Sequence, residues 1–340
     1  MHEPYWTSTA RHADIVLPVT TTFERDDIAY SKRERYMAYM SKLYEPMGES
    51  RDDYTIFSLL AEKLGVNGVF SEDRDSNQWL RTLYEASRER AVSSGIQLPD
   101  FDAFCRQGLI DLHELKAPEP VNMLEDFRRD PEQHPLTTAS GRLEIFCGTI
   151  DAYDLDDCMG HPAWYEPHEW LTENAQADGW LHLLSDQPKT KLHSQLDHSA
   201  YSKREKLHGR EPVYMHADDA KARGLKDGEL VRLFNDRGAC LGSIVIDPHL
   251  RQGVIRQSTG AWFNPMAQTT GASAADDHSR PLELHGNPNV LTRDQGTSSL
   301  SQGCAAYSCL VKVERFAGSA LSVTVLGQPE IVPAKEYLTT

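Results

Sequence analysis

In the first half of the chain, the hydrophobic positions are spaced as in helices. Apolar residues between Asp53 and Leu64 fall on one helical face, and Asp52 or Asp53 is placed to cap that helix. The same spacing predicts a second helix over about 78–91.

Strand patterns are scarce in this half. The apolar run 13–19, closed by Pro18, predicts a buried strand that ends in a loop. The charged, proline-bearing stretch 110–122 predicts a surface connection. One clear strand is too few for an independent sheet, so the half is predicted to be an incomplete α/β domain.

From Trp180 onward, short apolar runs alternate with turns. One short helix is predicted over 217–223, with Gly224 as its C-cap. Six short strands with one or two small helices are typical of a closed β-barrel. The six predicted strands are 181–184, 212–215, 229–234, 239–246, 253–256 and 309–313.

A stretch rich in aromatic residues and proline separates the two halves. His161 and His168 lie in it, but the prolines prevent a shared helix face and no third ligand is near, so a metal site is not favoured. The predicted division is an α/β domain over 1–160, a linker over 161–179, a barrel over 180–316 and a tail over 317–340.

Composition excludes several classes of protein. The net charge of −16 over 340 residues argues against a nucleic-acid surface, and no apolar run approaches the roughly 18 residues that span a bilayer. The six cysteines form no Cys-x-x-Cys pair. No Gly-x-Ser-x-Gly or His-Glu-x-x-His motif supports hydrolase chemistry. The absence of Gly-x-Gly-x-x-Gly and Walker motifs argues against an ordinary nicotinamide or ATP site.

Two polar strings stand beside predicted strands, at Leu184–Asp197 and Gly286–Gly303. Each is crowded with short hydrogen-bonding side chains and broken by proline or glycine, so neither suits a helix or a buried strand. Loops of this kind suit recognition of a large polar ligand, with a rigid sheet holding them. The alternative is that they are ordinary solvated connections.

With these strings, residues 9–18, 24–27, 209–214 and 231–238 resemble the molybdopterin oxidoreductases of the dimethyl sulfoxide reductase family. The likeness runs over roughly residues 2 to 316 in the family's order and is strongest to the trimethylamine N-oxide and biotin sulfoxide reductases. It is a likeness to the C-terminal part of a longer enzyme, without the half that carries the molybdenum-ligating serine. The resemblance therefore implies a six-stranded double-psi barrel and names no catalytic residue or metal ligand in this chain.

The resemblance also implies a cofactor, molybdenum bis(molybdopterin guanine dinucleotide). It implies two-electron oxygen-atom transfer from a small S-oxide or N-oxide. The implied partners are the missing N-terminal part of the enzyme and a c-type cytochrome as electron donor. The periplasm is favoured for the intact enzyme, with the cytoplasm as the alternative. A truncated, non-catalytic cofactor-binding module is the second hypothesis.

The residues that the resemblance assigns to the cofactor fall into three groups. They are Ser185, Lys191, His193, Ser194 and Gln195 in the first string; Asn287, Asn289, Thr292, Gln302 and Gly303 in the second; and His2, Glu3, Arg25 and Asp53 near the N-terminus.

Five of these residues keep a structural alternative. His193 would bond a backbone carbonyl, and the two asparagines, Asn287 and Asn289, would cap their own turn. Asp53 would cap its helix, and Arg25 would pair with a neighbouring carboxylate.

Overall fold

The computed structural model describes residues 1–31, 34–117, 122–266, 281–318 and 321–329. The chain forms two compact units, Met1–Leu136 and Thr137–Thr340. The domain limits predicted from sequence, at 160, 179 and 316, stay predictions.

Short strands and helices alternate in unit 1. Its strands are β1 (His2–Glu3), β2 (Leu17–Pro18), β3 (Asp27–Ala29), β4 (Tyr36–Met40) and β5 (Leu109–Asp111). Its helices are α1 (Ser8–Arg11), α2 (Asp53–Lys63), α3 (Asn67–Ser71), α4 (Ser76–Ser93), α5 (Phe101–Gln107), α6 (Leu112–Leu115) and α7 (Glu125–Arg129), with a 3₁₀ turn at Thr22–Glu24. β1 and β2 pair in parallel, and β3, β4 and β5 form an antiparallel sheet.

Both predicted helices of this unit are confirmed. Asp52 caps α2 by accepting from the Thr55 amide at 2.9 Å, which leaves Asp53 inside the first turn. Helix α4 begins before the predicted residue 78, because Asp75 caps it and Gln78 bonds back to the Asp75 amide.

Two expectations for unit 1 were wrong. The buried strand predicted over 13–19 is reduced to the two exposed residues of β2, because these are the ones that pair with β1. The predicted connection from residue 110 opens with β5, and Ile110 is buried in a core with Tyr84 and Phe104. The sequence pattern did not reveal this strand, because it is only three residues long and begins a stretch that is otherwise charged.

Unit 2 is built around a closed barrel. Its strands are β6 (Leu181–Leu184), β7 (Pro212–Met215), β8 (Leu230–Phe234), β9 (Ala239–Ile246), β10 (Val254–Gln257) and β11 (Leu310–Arg315). Its helices are α8 (Gly148–Asp151), α9 (Glu173–Ala177), α10 (Ala200–Lys203) and α11 (Ala217–Ala222), with a 3₁₀ turn at Pro288–Val290. The strands close in the order β10-β6-β11-β8-β9-β7. The predicted combination of an α/β part with a six-stranded double-psi barrel is confirmed.

Alternate apolar side chains of the strands fill the barrel. Leu181 and Leu183 point inward from β6, and Val231 and Leu233 do so from β8; each is 0–1% exposed. This period-two burial is what the alternating sequence requires of a strand with one face in the core.

Segments predicted to be linker and tail contact the barrel. Glu169 pairs with Arg237 at 2.5 Å and accepts from the Leu310 amide at 2.8 Å. In the described part of the tail, the Thr324 and Val325 amides donate to Asn264 Oδ1 at 2.7 and 3.0 Å.

Candidate functional site

Both polar strings lie at one end of the barrel. β6 and β10 are parallel and finish there, while β7 runs antiparallel to β10, and β11 antiparallel to β6, so both begin there. The first string leaves β6 at this end, and the second leads towards β11 at the same end. We call it the loop end.

Four buried charged groups hold the first string. Lys191 Nζ lies 3.0 Å from Asp197 Oδ1 and 2.5 Å from Glu211 Oε1. Lys206 Nζ lies 2.9 and 2.5 Å from the same two oxygens. All four side chains are at most 4% exposed, so each cation has two carboxylates in place of water.

Lys191 and Asp197 stay charged at neutral pH. Burial lowers the pKa of Lys191, but the carboxylates of Glu211 and Asp197 outweigh it and the pKa is raised overall. Burial raises the pKa of Asp197, but the charges of Lys206 and Lys191 outweigh it and the pKa is lowered overall. Charge balance within the cluster therefore offsets the desolvation of its members.

His285 joins this cluster as a neutral ring. Burial lowers its pKa to about 4, and its Nδ1 lies 2.9 Å from the Trp262 carbonyl oxygen and 3.6 Å from Asp197 Oδ2. Nδ1 is therefore the protonated nitrogen and donates to that carbonyl. Nε2 makes no hydrogen bond to any residue that the structure describes.

The segment after β10 joins the two strings. The Trp262 amide donates to Asp197 Oδ2 at 2.9 Å, and its indole Nε1 donates to the Ser194 carbonyl at 2.7 Å. On the other side, Ala261 O accepts from Asn287 Nδ2 at 2.9 Å. Loops about 100 residues apart in sequence therefore flank one short segment.

A glycine permits this close approach. Gly260 has φ +90°, and a Cβ there would lie 1.8 Å from the His193 carbonyl oxygen. Any other residue would displace the first string at its turn.

One carboxylate holds the start of the second string. Glu283 is fully buried and accepts four backbone amides. Its Oε1 accepts from Asn264 and His285 at 3.0 Å, and its Oε2 from Gly286 and Asn287 at 2.7 Å. The side chain thus takes the place of a missing strand partner.

The two asparagines of the second string do different things. Asn287 Oδ1 accepts from the Asn289 amide at 3.0 Å, and its Nδ2 donates to Ala261, so its side chain is engaged on both sides. This is the turn-capping alternative. The exposed amide side chain of Asn289 makes no hydrogen bond within the described residues, which leaves it available to a ligand.

The remaining residues predicted in the strings are mostly exposed. Ser194 and Gln195 are open to solvent, and Ser185 is half-buried directly after β6. His193, also exposed, accepts from the Gln187 side chain at 3.3 Å rather than bonding a carbonyl.

Gln302 and Gly303 lie in a separate hairpin. The Thr297 amide donates to the Gly303 carbonyl at 2.9 Å, and the hairpin's Ser299 binds Asp157 at 2.8 Å. Thr292 donates to the Asn289 carbonyl at 3.1 Å.

The predicted N-terminal residues lie in unit 1. His2 Nδ1 is 2.7 Å from Asp53 Oδ1, so two of them meet although 51 positions separate them. Glu3 accepts from Thr7 at 3.3 Å. Arg25 pairs with Asp27 at 3.3 Å, as the neighbouring-carboxylate alternative expects.

Several residues that shape the loop end were not singled out from sequence. The side chains of these residues, Glu283, Trp262 and His285, bond backbone N–H or carbonyl groups, and no sequence motif identifies such contacts. Glu211 falls within the family string 209–214, and its place directly before β7 marks it as a charge at the end of the barrel.

The exposed donor set at the loop end fits a flat polar heterocycle. Amides such as Asn289 and Gln195 offer both donors and acceptors, and Ser194 adds a hydroxyl, which matches heterocycle edges that carry both. Within the described ranges no group of three or more His, Cys, Asp or Glu is arranged for a metal ion, and no helix there is long and apolar enough to cross a bilayer.

Family models match both units. Residues 181–310 match the Molydopterin dinucleotide binding domain, and residues 2–63 match Molybdopterin oxidoreductase. The chain therefore has the parts of a molybdopterin-binding oxidoreductase.

Three similar proteins show to which family of molybdopterin oxidoreductases the chain belongs. Biotin sulfoxide reductase of Cereibacter sphaeroides is 45% identical over 325 residues, 94% of this chain and 41% of that protein. Dimethyl sulfoxide/trimethylamine N-oxide reductase of Rhodobacter capsulatus is 37% identical over 334 residues, with coverages of 97% and 39%. Trimethylamine-N-oxide reductase of Haemophilus influenzae is 36% identical over 335 residues, with coverages of 98% and 40%. The chain belongs to the dimethyl sulfoxide reductase family of molybdopterin oxidoreductases, and it spans about two fifths of the length of these relatives.

A solved structure shares the fold. Acetylene hydratase from Pelobacter acetylenicus superposes with a TM-score of 0.64 at 19% identity, covering 93% of this chain and 40% of that one.

Proposed function

We propose that this chain binds molybdopterin guanine dinucleotide at the loop end of its barrel and forms part of an S-oxide or N-oxide reductase. The observation that carries the proposal is the meeting of the two polar strings on the segment at Ala261 and Trp262. Loops far apart in sequence are held together there, with Ser194 and Asn289 exposed on them.

In this proposal the chain's residues bind and orient the cofactor. Asn289, Gln195 and Ser194 contact the heterocycle edges, and Gln302 and Gly303 close on it from the neighbouring hairpin. His2 and Asp53, which lie in unit 1, stay predicted dinucleotide contacts. When bound, the molybdenum supplies the two-electron oxygen-atom transfer, and the protein supplies position and access.

The substrate belongs to the same proposal. Relatives named for biotin sulfoxide, dimethyl sulfoxide and trimethylamine N-oxide all take a small S-oxide or N-oxide. We favour trimethylamine N-oxide, with biotin sulfoxide or dimethyl sulfoxide as alternatives. The bis form of the cofactor, a periplasmic site and a c-type cytochrome donor complete the proposed whole enzyme.

A second candidate function is a non-catalytic cofactor-binding module. The exposed amides and hydroxyl at the loop end favour it equally, because such groups can bind a cofactor without taking part in turnover. Both candidates predict cofactor binding, and they differ in turnover.

The test is to express the full chain in a host that makes the cofactor and to measure the guanine nucleotide released by acid. We expect near-stoichiometric nucleotide, with a doubled content if the bis form binds, and no dye-linked reduction of trimethylamine N-oxide by the chain alone. The matched control is Gln252→Ala, whose side chain bonds Asp218 away from the loop end. A nucleotide-free protein would refute binding, and molybdenum-dependent turnover would refute the inactive module.

A further inference from the structure

The four-charge cluster lies across the boundary between the first string and the rest of the barrel. Lys191 and Asp197 belong to the string, whereas Lys206 and Glu211 lie between α10 and β7. Two of the four ion pairs, Lys191–Glu211 and Lys206–Asp197, cross that boundary. Each side contributes one cation and one anion, so the contact is neutral as a whole.

Lys191 is poorly placed to contact a ligand directly. Its side chain is 1% exposed, and its ammonium has two carboxylate partners within 3.0 Å. Reaching a phosphate would require it to abandon both, which would leave buried anions with a single cation between them.

The turn between Lys191 and Asp197 contains the exposed residues of the proposed site. His193 and Leu196 there have φ of 50° and 55°, a left-handed conformation that non-glycine residues rarely adopt. Such a turn persists only when its surroundings hold it, and the two buried ends of the segment are the groups in the cluster.

We infer that Lys191 is a positioning residue: with Asp197 it fixes the 191–197 turn to Lys206 and Glu211, so that His193, Ser194 and Gln195 face the cofactor. The cofactor-facing part of this inference rests on the proposed function. The ordering of the turn does not, because it concerns the protein without its ligand.

The test is hydrogen exchange of the cofactor-free full chain, followed over peptides covering 187–199. The variant is the double substitution Lys191→Met with Asp197→Asn, which removes one charge of each sign and leaves Lys206 paired with Glu211. We expect exchange in this segment to rise roughly tenfold, while the strands β6 to β11 keep their protection. Lys191→Arg, which keeps the charge, should restore most of the protection.

The matched control is Arg232→Gln with Glu314→Gln, which removes an ion pair of 3.0 Å between β8 and β11. It should leave exchange in 187–199 unchanged. Cofactor content, measured as released guanine nucleotide, should fall in the Met/Asn variant and recover in Lys191→Arg.

Three results would overturn the inference. Unchanged exchange in 187–199 together with lost cofactor would make Lys191 a direct ligand. Equal loss of protection throughout the barrel, or failure of the double variant to fold while Lys191→Arg folds, would make the cluster a general stabilising element. If even the unmodified chain retains no nucleotide, the proposed function fails while the exchange result still decides the ordering role.

Discussion

The two strings at the loop end are held by different physical means. The first is anchored by ion pairs among Lys191, Asp197, Lys206 and Glu211. The second is anchored by the single carboxylate of Glu283, which accepts four backbone amides. One anchor joins side chains to side chains, and the other joins a side chain to the backbone itself.

The difference indicates how each loop should respond to change. A cation and an anion of the first anchor can be replaced together, so that no unpaired charge is left buried. The order of the first string should therefore decrease stepwise as its ion pairs are removed. Backbone amides cannot be removed by substitution. When the Glu283 carboxylate is altered, the amides that it binds are therefore left buried without an acceptor. His285 links the two, since its amide bonds Glu283 and its ring faces Asp197.

The largest effect is expected from Glu283→Gln. The amide keeps one oxygen, so two of the four buried backbone N–H groups would face an NH₂ group instead of an acceptor. With about 1–3 kcal/mol for each unsatisfied buried group, the free energy of unfolding should fall by roughly 4 kcal/mol, measured by urea denaturation. Glu314→Gln, on a half-exposed carboxylate, should change it by less than about 1 kcal/mol. Similar losses in the two variants would mean that Glu283 does not anchor the string.

Acidification should weaken the link between the strings. The pKa of His285 is held near 4 in the folded protein, below its ordinary 6.5, so unfolding takes up a proton at mildly acid pH. The contribution of the neutral His285 ring to the free energy of unfolding is complete above pH 6.5 and is lost as the pH falls towards 4. We expect stability to drop by about 2 kcal/mol between pH 7.5 and 5 from this group.

His285→Asn sharpens the same point. Asn can still donate to the Trp262 carbonyl but does not titrate, so the pH slope over this range should flatten by most of that amount. Urea denaturation at several pH values measures it, each variant being compared with its own value at pH 7.5. An unaltered slope would assign the acid sensitivity to other groups.

The smallest effects separate the two asparagines. Asn287→Ala loses two side-chain hydrogen bonds and should lower the free energy of unfolding by about 2 kcal/mol. Asn289→Ala should lower it by less than about 0.5 kcal/mol, yet weaken cofactor binding by about 1–3 kcal/mol. Thermal unfolding and nucleotide retention measure the two quantities. The reverse order would make Asn289 the turn former and Asn287 the ligand.

The barrel was largely predictable, because six strands with buried alternate positions leave a period-two pattern in the sequence. Strand β5 was not, because Leu109–Asp111 is too short for a periodic pattern and Ile110 is buried by Met37 and Tyr84, which are distant in sequence. Capping was half predictable: a cap at residue 52 or 53 was expected, and only the structure distinguished Asp52.

The candidate site also has a part that the sequence could predict and a part that it could not. Exposed residues such as Asn289 were predicted from the polar strings and the family resemblance, and their contact with a cofactor stays a prediction. The anchors were not, because the role of Glu283 depends on backbone amides that gather only after folding. For Lys191, the sequence offered a cation near a proposed phosphate, but not the two carboxylates that surround it.

The strand order of the barrel has a consequence for biosynthesis. β6 is flanked by β10 and β11, so the ring cannot close until residues 310–315 have been synthesised. Pairing across such long sequence separations is slow to form, because the intervening chain must first be ordered. The segments that meet at Trp262 would therefore assemble late, after the ribosome has made nearly all of the barrel. Cofactor loading is then expected to follow translation, and nascent chains halted before residue 310 should retain no guanine nucleotide.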